Sequence, residues 1–214
     1  MLDPATPPDV GGHGASRDSD LLEQVRVGHA PALEALMDRY WTPLVTYAAR
    51  LLQSWDAAED VTQEAFVRVW ERRESWSPTG SVQALLYRIV RNLALDARKA
   101  GARAGRRAEQ AVSAGGRSPV PTPIEVVSAT ELEDALHRAV GTLSERRREV
   151  YELARLEGLS YQQIGEVLDI APQTVANHLC AAIAQLREQL ADHLDVGGAT
   201  TGPSAQGNSA SHLR

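Results

Sequence analysis

Three groups of side chains in this sequence have the types and spacing to do chemistry. The first lies in DAAEDVTQEAFVRVWER. At about 100° per residue, Val61, Ala65, Ala58, Val69, Phe66 and Trp70 fill one arc of a helix, and Asp60, Gln63, Glu64 and Glu71 fall on the opposite arc. Carboxylates so placed can form a solvated face, a docking face for a protein, or, with Asp56 and Glu59, a divalent-metal cluster. Such metal sites take ligands from facing helices and often use a Glu-x-x-His pair. No such pair occurs, which speaks against metal chemistry. The second group is basic. Arg88, Arg91, Arg98, Lys99, Arg103, Arg106 and Arg107 are opposed within their stretch only by Asp96, a local charge of +6. Beside them the turn-rich loop SWSPTGS carries Trp76, an aromatic that reads as exposed. This is either a solvated basic face or a track for phosphates with an aromatic for base stacking. The third group is Tyr161, Gln162 and Gln163, which are either ordinary helix surface or phosphate contacts, with Gln173, Thr174 and Asn177, whose side chains suit base edges.

No nucleophile constellation accompanies them. HExxH, GxSxG, a P-loop and GxGxxG are all absent, and the histidines at 13, 29, 137, 178, 193 and 212 are scattered. Cys180, mid-helix in HLCAAIAQL, reads as a small buried packing residue. The sequence therefore points to no enzyme, cofactor or metal. A single cysteine rules out an intramolecular disulfide framework and fits a reducing cytoplasm. No run approaches the ~18 apolar residues of a membrane span. The N-terminal stretch lacks the basic start and apolar core of a secretory signal. The net charge of −6 argues against a freestanding, purely electrostatic DNA binder, though not against local basic faces.

The elements that must hold these groups are helices. Hydrophobic residues make up 43% of the 214-residue chain but aromatics only 5%, so Leu, Val, Ile and Ala must build the core. The pattern predicts an all-α chain of two small helical domains, at 20–100 and 128–192. Residues 101–127, rich in Gly, Ala, Ser and Pro, read as a flexible linker, and 1–19 and 193–214 as disordered tails. In the first block apolar residues recur at helical spacing from Leu21 to Leu52, with Pro31 and Pro43 near helix starts or bends. A further helix is expected from Ser54 or Asp56 to Arg73, and another from Ser81 to Lys99. In the second, Gly158 can close one helix and Ser160 with Gln163 can cap the next as a capping box. Pro172 suits the first turn of the last helix. The short turn Asp169–Ala171 makes these two helices a helix-turn-helix.

Together these residues resemble the extracytoplasmic-function (group IV) sigma factors of bacterial RNA polymerase. AEDVTQEAFVRVW followed by LLYRIVRNLALDARK is similar to their region two, and LSERRREVYELARLEGLSYQQIGEVLDIAPQTVANHLCAAIAQLREQL to their region four. The resemblance implies a transcription initiation factor that binds core polymerase, melts the −10 element with the first domain and reads the −35 element with the second. Asp60, Gln63 and Glu64 match the acidic face that docks on the polymerase clamp helices. The loop 74–81 with Trp76 matches the element that captures a flipped −10 base. Arg88, Arg91, Asn92, Asp96 and Arg98 match the helix flanking the opened strand. Gln173, Thr174, Asn177 and His178 lie on the matching −35 helix, with Tyr161 and Gln162 on the helix before it. The implied partners are core polymerase (clamp helices and flap), promoter DNA and, in regulated members, an anti-sigma factor.

Three departures from the family pattern stand out. Ala176, Ala181 and Ile183 stand where many relatives are basic, leaving Arg187 as the one basic residue of that helix, so weak phosphate anchoring is expected. Ser144 stands where Pro is frequent, and Leu85 where Trp is. Two competing readings are a helix-turn-helix regulator that binds DNA unaided and a helical hydrolase with a carboxylate metal site. The net charge and the lack of a clear dimer helix oppose the first, and the missing histidine ligands oppose the second. Extended, residues 101–127 reach up to ~90 Å. Two major-groove sites a little over two turns apart are ~70–80 Å apart.

Overall fold

A computed structural model describes residues 12–76, 81–111 and 131–195. Eight α-helices and one short 3-10 turn, with no strand, make up the described residues. The order is α1 (Gly12–Arg26), α2 (Ala30–Leu52), α3 (Trp55–Glu71), the 3-10 turn Arg73–Ser75, α4 (Val82–Ala111), α5 (Glu131–Thr142), α6 (Glu145–Arg155), α7 (Tyr161–Leu168) and α8 (Pro172–Asp195). The tails at 1–11 and 196–214, most of the linker at 112–130, and loop residues 77–80 lie outside the described residues.

Helices α1 to α4 form a bundle around Leu36, Leu44, Tyr47, Val69, Leu86 and Val90, all fully buried. The arc expected for α3 is the one that packs: Ala58, Val61, Ala65, Phe66 and Val69 are buried. Its start is fixed by Ser54, whose hydroxyl accepts from the Ala57 N–H at 3.3 Å. Residues 193–195, read as tail, are the end of α8, and two further boundaries differ from the sequence reading. Residues 12–19, read as tail, belong to α1. There Asp18 is buried and accepts hydrogen bonds from Arg39 and from the Tyr40 hydroxyl. Helix α4 runs on to Ala111 rather than ending at Lys99, so the first eleven residues assigned to the linker are helical.

In the second unit the helix-turn-helix is as its caps predict. The Ser160 hydroxyl accepts from the Gln163 N–H, and the Gln163 side chain accepts from the Ser160 N–H at 2.8 Å. Gly158 has φ +67 and α8 opens on Pro172. Gly165 has a role that only the fold exposes. A Cβ there would stand 2.7 Å from the Ile170 carbonyl oxygen, so the tight turn between α7 and α8 requires glycine. A small core of Ala139, Leu143, Ala182 and Leu186 joins α5 to α8. Cys180 is exposed, contrary to the expectation of burial, because the inward positions of α8 fall on Val175, Leu179, Ala182 and Leu186.

The two units pack on each other. The apolar core of α1 to α4 continues into Val150, Leu153, Ile164 and Leu168, and α7 lies against α4.

Candidate nucleic-acid interface

Three surfaces carry the side chains singled out in the sequence. On α3, Asp60, Gln63 and Glu64 are exposed, opposite the buried arc. Glu64 accepts from Arg68 Nε at 2.8 Å, one turn along. The face is therefore acidic, exposed and held on a well-packed helix.

The surface on α4 is different. Arg88 and Asn92 are exposed, without a hydrogen-bond or ion-pair partner among the described residues. Asp96 lies 3.8 Å from Lys99. The two other arginines are taken. Arg91 donates from Nε and Nη2 to the two carboxylate oxygens of Glu149 on α6, at 2.6 and 3.2 Å. Its side chain is 15% exposed and that of Glu149 8%. Arg98 donates to Glu145 Oε1 at 2.6 Å. Burial opposes the charge on Arg91, but the hydrogen bond and charge of Glu149 outweigh it and raise its pKa. The bond from Arg98 holds Glu145 below the ordinary carboxylate value.

Further bonds close the same junction. The Tyr47 hydroxyl donates to Glu149 at 3.3 Å, and the Tyr87 hydroxyl donates to Glu157 at 2.5 Å. Arg50 donates to Glu157. Gln163 Nε2 donates to Ser81 Oγ at 2.7 Å, which ties the start of α7 to the start of α4. Glu152 is pushed above its ordinary value by burial, against the pull of Arg50. Between the units remains a cleft of about 640 Å³ whose walls include Arg50, Arg91, Arg98, Arg148, Glu145 and Glu149.

Trp76 is not the exposed aromatic its loop suggested. Its ring packs on the core and its Nε1–H donates to the Val69 carbonyl at 2.9 Å, pinning the loop to the end of α3. The rest of that loop's tip is outside the described residues.

The third surface is the start of α8. Gln173 and Asn177 are exposed and paired, Gln173 Nε2 donating to Asn177 Oδ1 at 3.2 Å. Thr174 and His178 are half-buried beside them, and Val175 and Leu179 point into the core. Arg187 is exposed further along. On α7, Gln162 is exposed, whereas Tyr161 is half-buried against the shared core.

Sequence reasoning missed the carboxylates of α6 and the tyrosines that meet them. A signal existed: Glu149 and Glu152 interleave with Val150 and Leu153 on the inward side of α6, and all four are buried. Glutamate in that phase needs a partner, and the partners are on α2 and α4. No group of His, Cys, Asp and Glu among the described residues can hold a metal. No helix among them is long and apolar enough to cross a membrane.

Comparison with known proteins agrees with this architecture. Residues 36–104 match the family described as Sigma-70 region 2, and residues 133–186 match Sigma-70, region 4. The chain is 31% identical to the ECF RNA polymerase sigma factor SigK of a Mycobacterium species, over 79% of this chain and 89% of that one. It is 32% identical to the ECF RNA polymerase sigma factor SigE of Mycolicibacterium smegmatis, covering 76% of this chain but only 63% of that relative. Among solved structures, the sigma factor RpoE in complex with the anti-sigma factor NepR from Bartonella quintana shares the fold. The TM-score is 0.52 and the identity 22%, over 74% of this chain and 96% of that one. The chain belongs to the extracytoplasmic-function sigma factors of bacterial RNA polymerase.

Proposed function

We propose that this chain brings core RNA polymerase to promoters as a non-catalytic initiation factor, with its work divided among three faces. Asp60, Gln63 and Glu64 on α3 dock on the clamp helices. Arg88, Arg91, Asn92, Asp96 and Arg98 on α4 flank the opened −10 strand, and the loop after α3, anchored by Trp76, receives a flipped base. Gln173, Thr174, Asn177 and His178 read the −35 duplex, with Tyr161 and Gln162 at its edge. The observation that carries this reading is one packed bundle presenting an exposed acidic face on α3 and an arginine-bearing face on α4. Protein docking and strand capture are thereby held in fixed relation. A cytoplasmic location follows from the polymerase it serves. An anti-sigma partner is part of the reading, because RpoE, which shares this fold, was solved with one.

Transcription in vitro with core polymerase on a library of promoters tests the proposal. Transcripts that start at a shared pair of elements, and only when the chain is added, support it. Tight, sequence-specific binding by the chain alone at moderate salt, with no stimulation of polymerase, favours a freestanding regulator instead.

A further inference from the structure

We propose that the cleft between the two units is a binding site for a small ligand with linked phosphates, either free pyrophosphate or a nucleoside di- or triphosphate. The proposal is independent of the DNA assignments above. Three observations carry it.

First, donors go unused there. Four buried side-chain polar atoms among the described residues have no hydrogen-bond partner, and three of them belong to arginines of the cleft wall: Arg50 Nε, Arg146 Nη1 and Arg148 Nε. The carboxylates beside them stand too far off to accept, Glu152 Oε2 at 3.9 Å from Arg50 Nε and Glu149 Oε2 at 3.6 Å from Arg146 Nη1. Folded proteins seldom leave buried donors unmade, least of all three around one space. Each sits on a long side chain at the wall, so a small turn presents it to a guest. Second, the charge is unbalanced. Five arginines and three glutamates line the cleft, a surplus of two positive charges in a chain of net −6. Glu149 and Glu145 are already taken by Arg91 and Arg98. Arg148 donates only to the carbonyls of Gly141 and Leu143, so no carboxylate among the described residues pairs with its charge. Guanidinium forks fit phosphate oxygens two at a time, and two linked phosphates match the surplus. Third, the space suits a small molecule. Its volume of about 640 Å³ falls within the ~300–1,000 Å³ of ligand sites, and half-buried Leu51, Leu52 and Leu95 give an apolar wall on which a base can lie. Arg50 is on α2 and Arg146 and Arg148 are on α6, so a guest held by all three ties the first unit to the second and stabilises their packing.

The test uses the full chain in titration calorimetry at physiological salt, with sulfate at matched ionic strength as the blank. Pyrophosphate and ATP are the probes. The expected result is saturable binding, one per chain, with a rise in the melting temperature. Tighter binding of ATP assigns a nucleotide, and binding of pyrophosphate at least as tight assigns the phosphates alone. Arg146→Ala with Arg148→Ala should weaken binding about tenfold or more. Arg146→Gln, at a side chain that is 41% exposed, should weaken it about threefold and guards against misfolding of the double variant. Arg155→Ala removes the same charge from an exposed position of α6 outside the cleft and should leave binding unchanged. No saturable binding of either probe would overturn the proposal, and so would equal losses in Arg155→Ala and Arg146→Gln. A tetraglutamate peptide that bound as tightly as pyrophosphate would also overturn it, and would point to an acidic protein segment as the guest.

Discussion

The two helices proposed to face DNA present opposite surfaces. Helix α4 concentrates arginine, and within the folded chain two of those arginines are bound by carboxylates of α6. Helix α8 offers amides, a threonine and a histidine at its start, and Gln173 and Asn177 are exposed with only each other for company. A charged surface binds any phosphate and needs restraint; an amide surface discriminates among bases and binds weakly. The chain pairs Arg91 and Arg98 of the first while Arg88 stays exposed, and it leaves the second open. On the proposed reading, discrimination without charge leaves a chain of net charge −6 dependent on polymerase to reach DNA.

The most disruptive change on the α8 side is Gly165→Ala. The new methyl would press on the Ile170 carbonyl, and overpacking of this kind costs about 1–3 kcal/mol. Thermal unfolding should show that loss, and −35 preference should vanish with the displaced α8. If stability and −35 preference were unaltered, the tight α7–α8 turn would not be what positions the reading helix.

A sharper probe of α8 is Asn177→Ala. A lost bidentate base contact is worth about 1–3 kcal/mol of discrimination. Preference should relax at one −35 position in a randomised promoter library, with opening of a pre-melted template unchanged. A uniform loss at every position would mean that Asn177 supports the fold instead of reading a base.

On the proposed reading the acidic face of α3 docks on polymerase and so sets α4 and α8 in place. Gln63→Ala with Glu64→Ala should weaken association with core by about tenfold, about 1.4 kcal/mol. Circular dichroism should be unchanged, since both side chains are exposed. Normal holoenzyme assembly by this variant would remove the docking assignment.

The smallest effect expected is on pH dependence. Glu145 sits below its ordinary value of 4.5 because Arg98 hydrogen-bonds it. Its contribution is thus present above pH 4.5 and fades as pH falls through the lowered value. The melting temperature of wild type minus that of Glu145→Gln should be positive at neutral pH and shrink toward zero in acid. Buried Glu152 has the opposite sign: its raised value makes its charged form a penalty, relieved as pH falls, and both proteins share it. A difference that grew in acid would contradict the pairing of Glu145 with Arg98.

What could be read in the sequence was what is local. The helix-turn-helix was legible because its caps are adjacent residues with few alternatives: Ser160 with Gln163, Gly158, Asp169 and Pro172. The buried arc of α3 was legible because its apolar spacing is regular. The start of α1 was not, because Gly12–Asp20 holds no apolar repeat. Its anchor is Asp18 bonded to residues of α2 more than twenty positions away. The length of α4 was misjudged because Gly101 reads as a breaker, yet no neighbour crowds it and the helix passes through. Trp76 looked like a free aromatic because its partner, the Val69 carbonyl, belongs to the preceding helix. The Arg91–Glu149 pair was only half legible: Glu149 falls in the inward phase of α6 and so needs a partner, but that partner lies 58 residues away and looks like an ordinary surface charge.

The central claim is that α4 opens the strand while α8 chooses the duplex, and permanganate footprinting of holoenzyme with Arg91→Ala plus Arg98→Ala tests it most directly. The account predicts that thymines of the −10 region lose reactivity while the ranking of −35 sequences is kept. A variant that melted DNA normally but changed its −35 ranking would contradict the account.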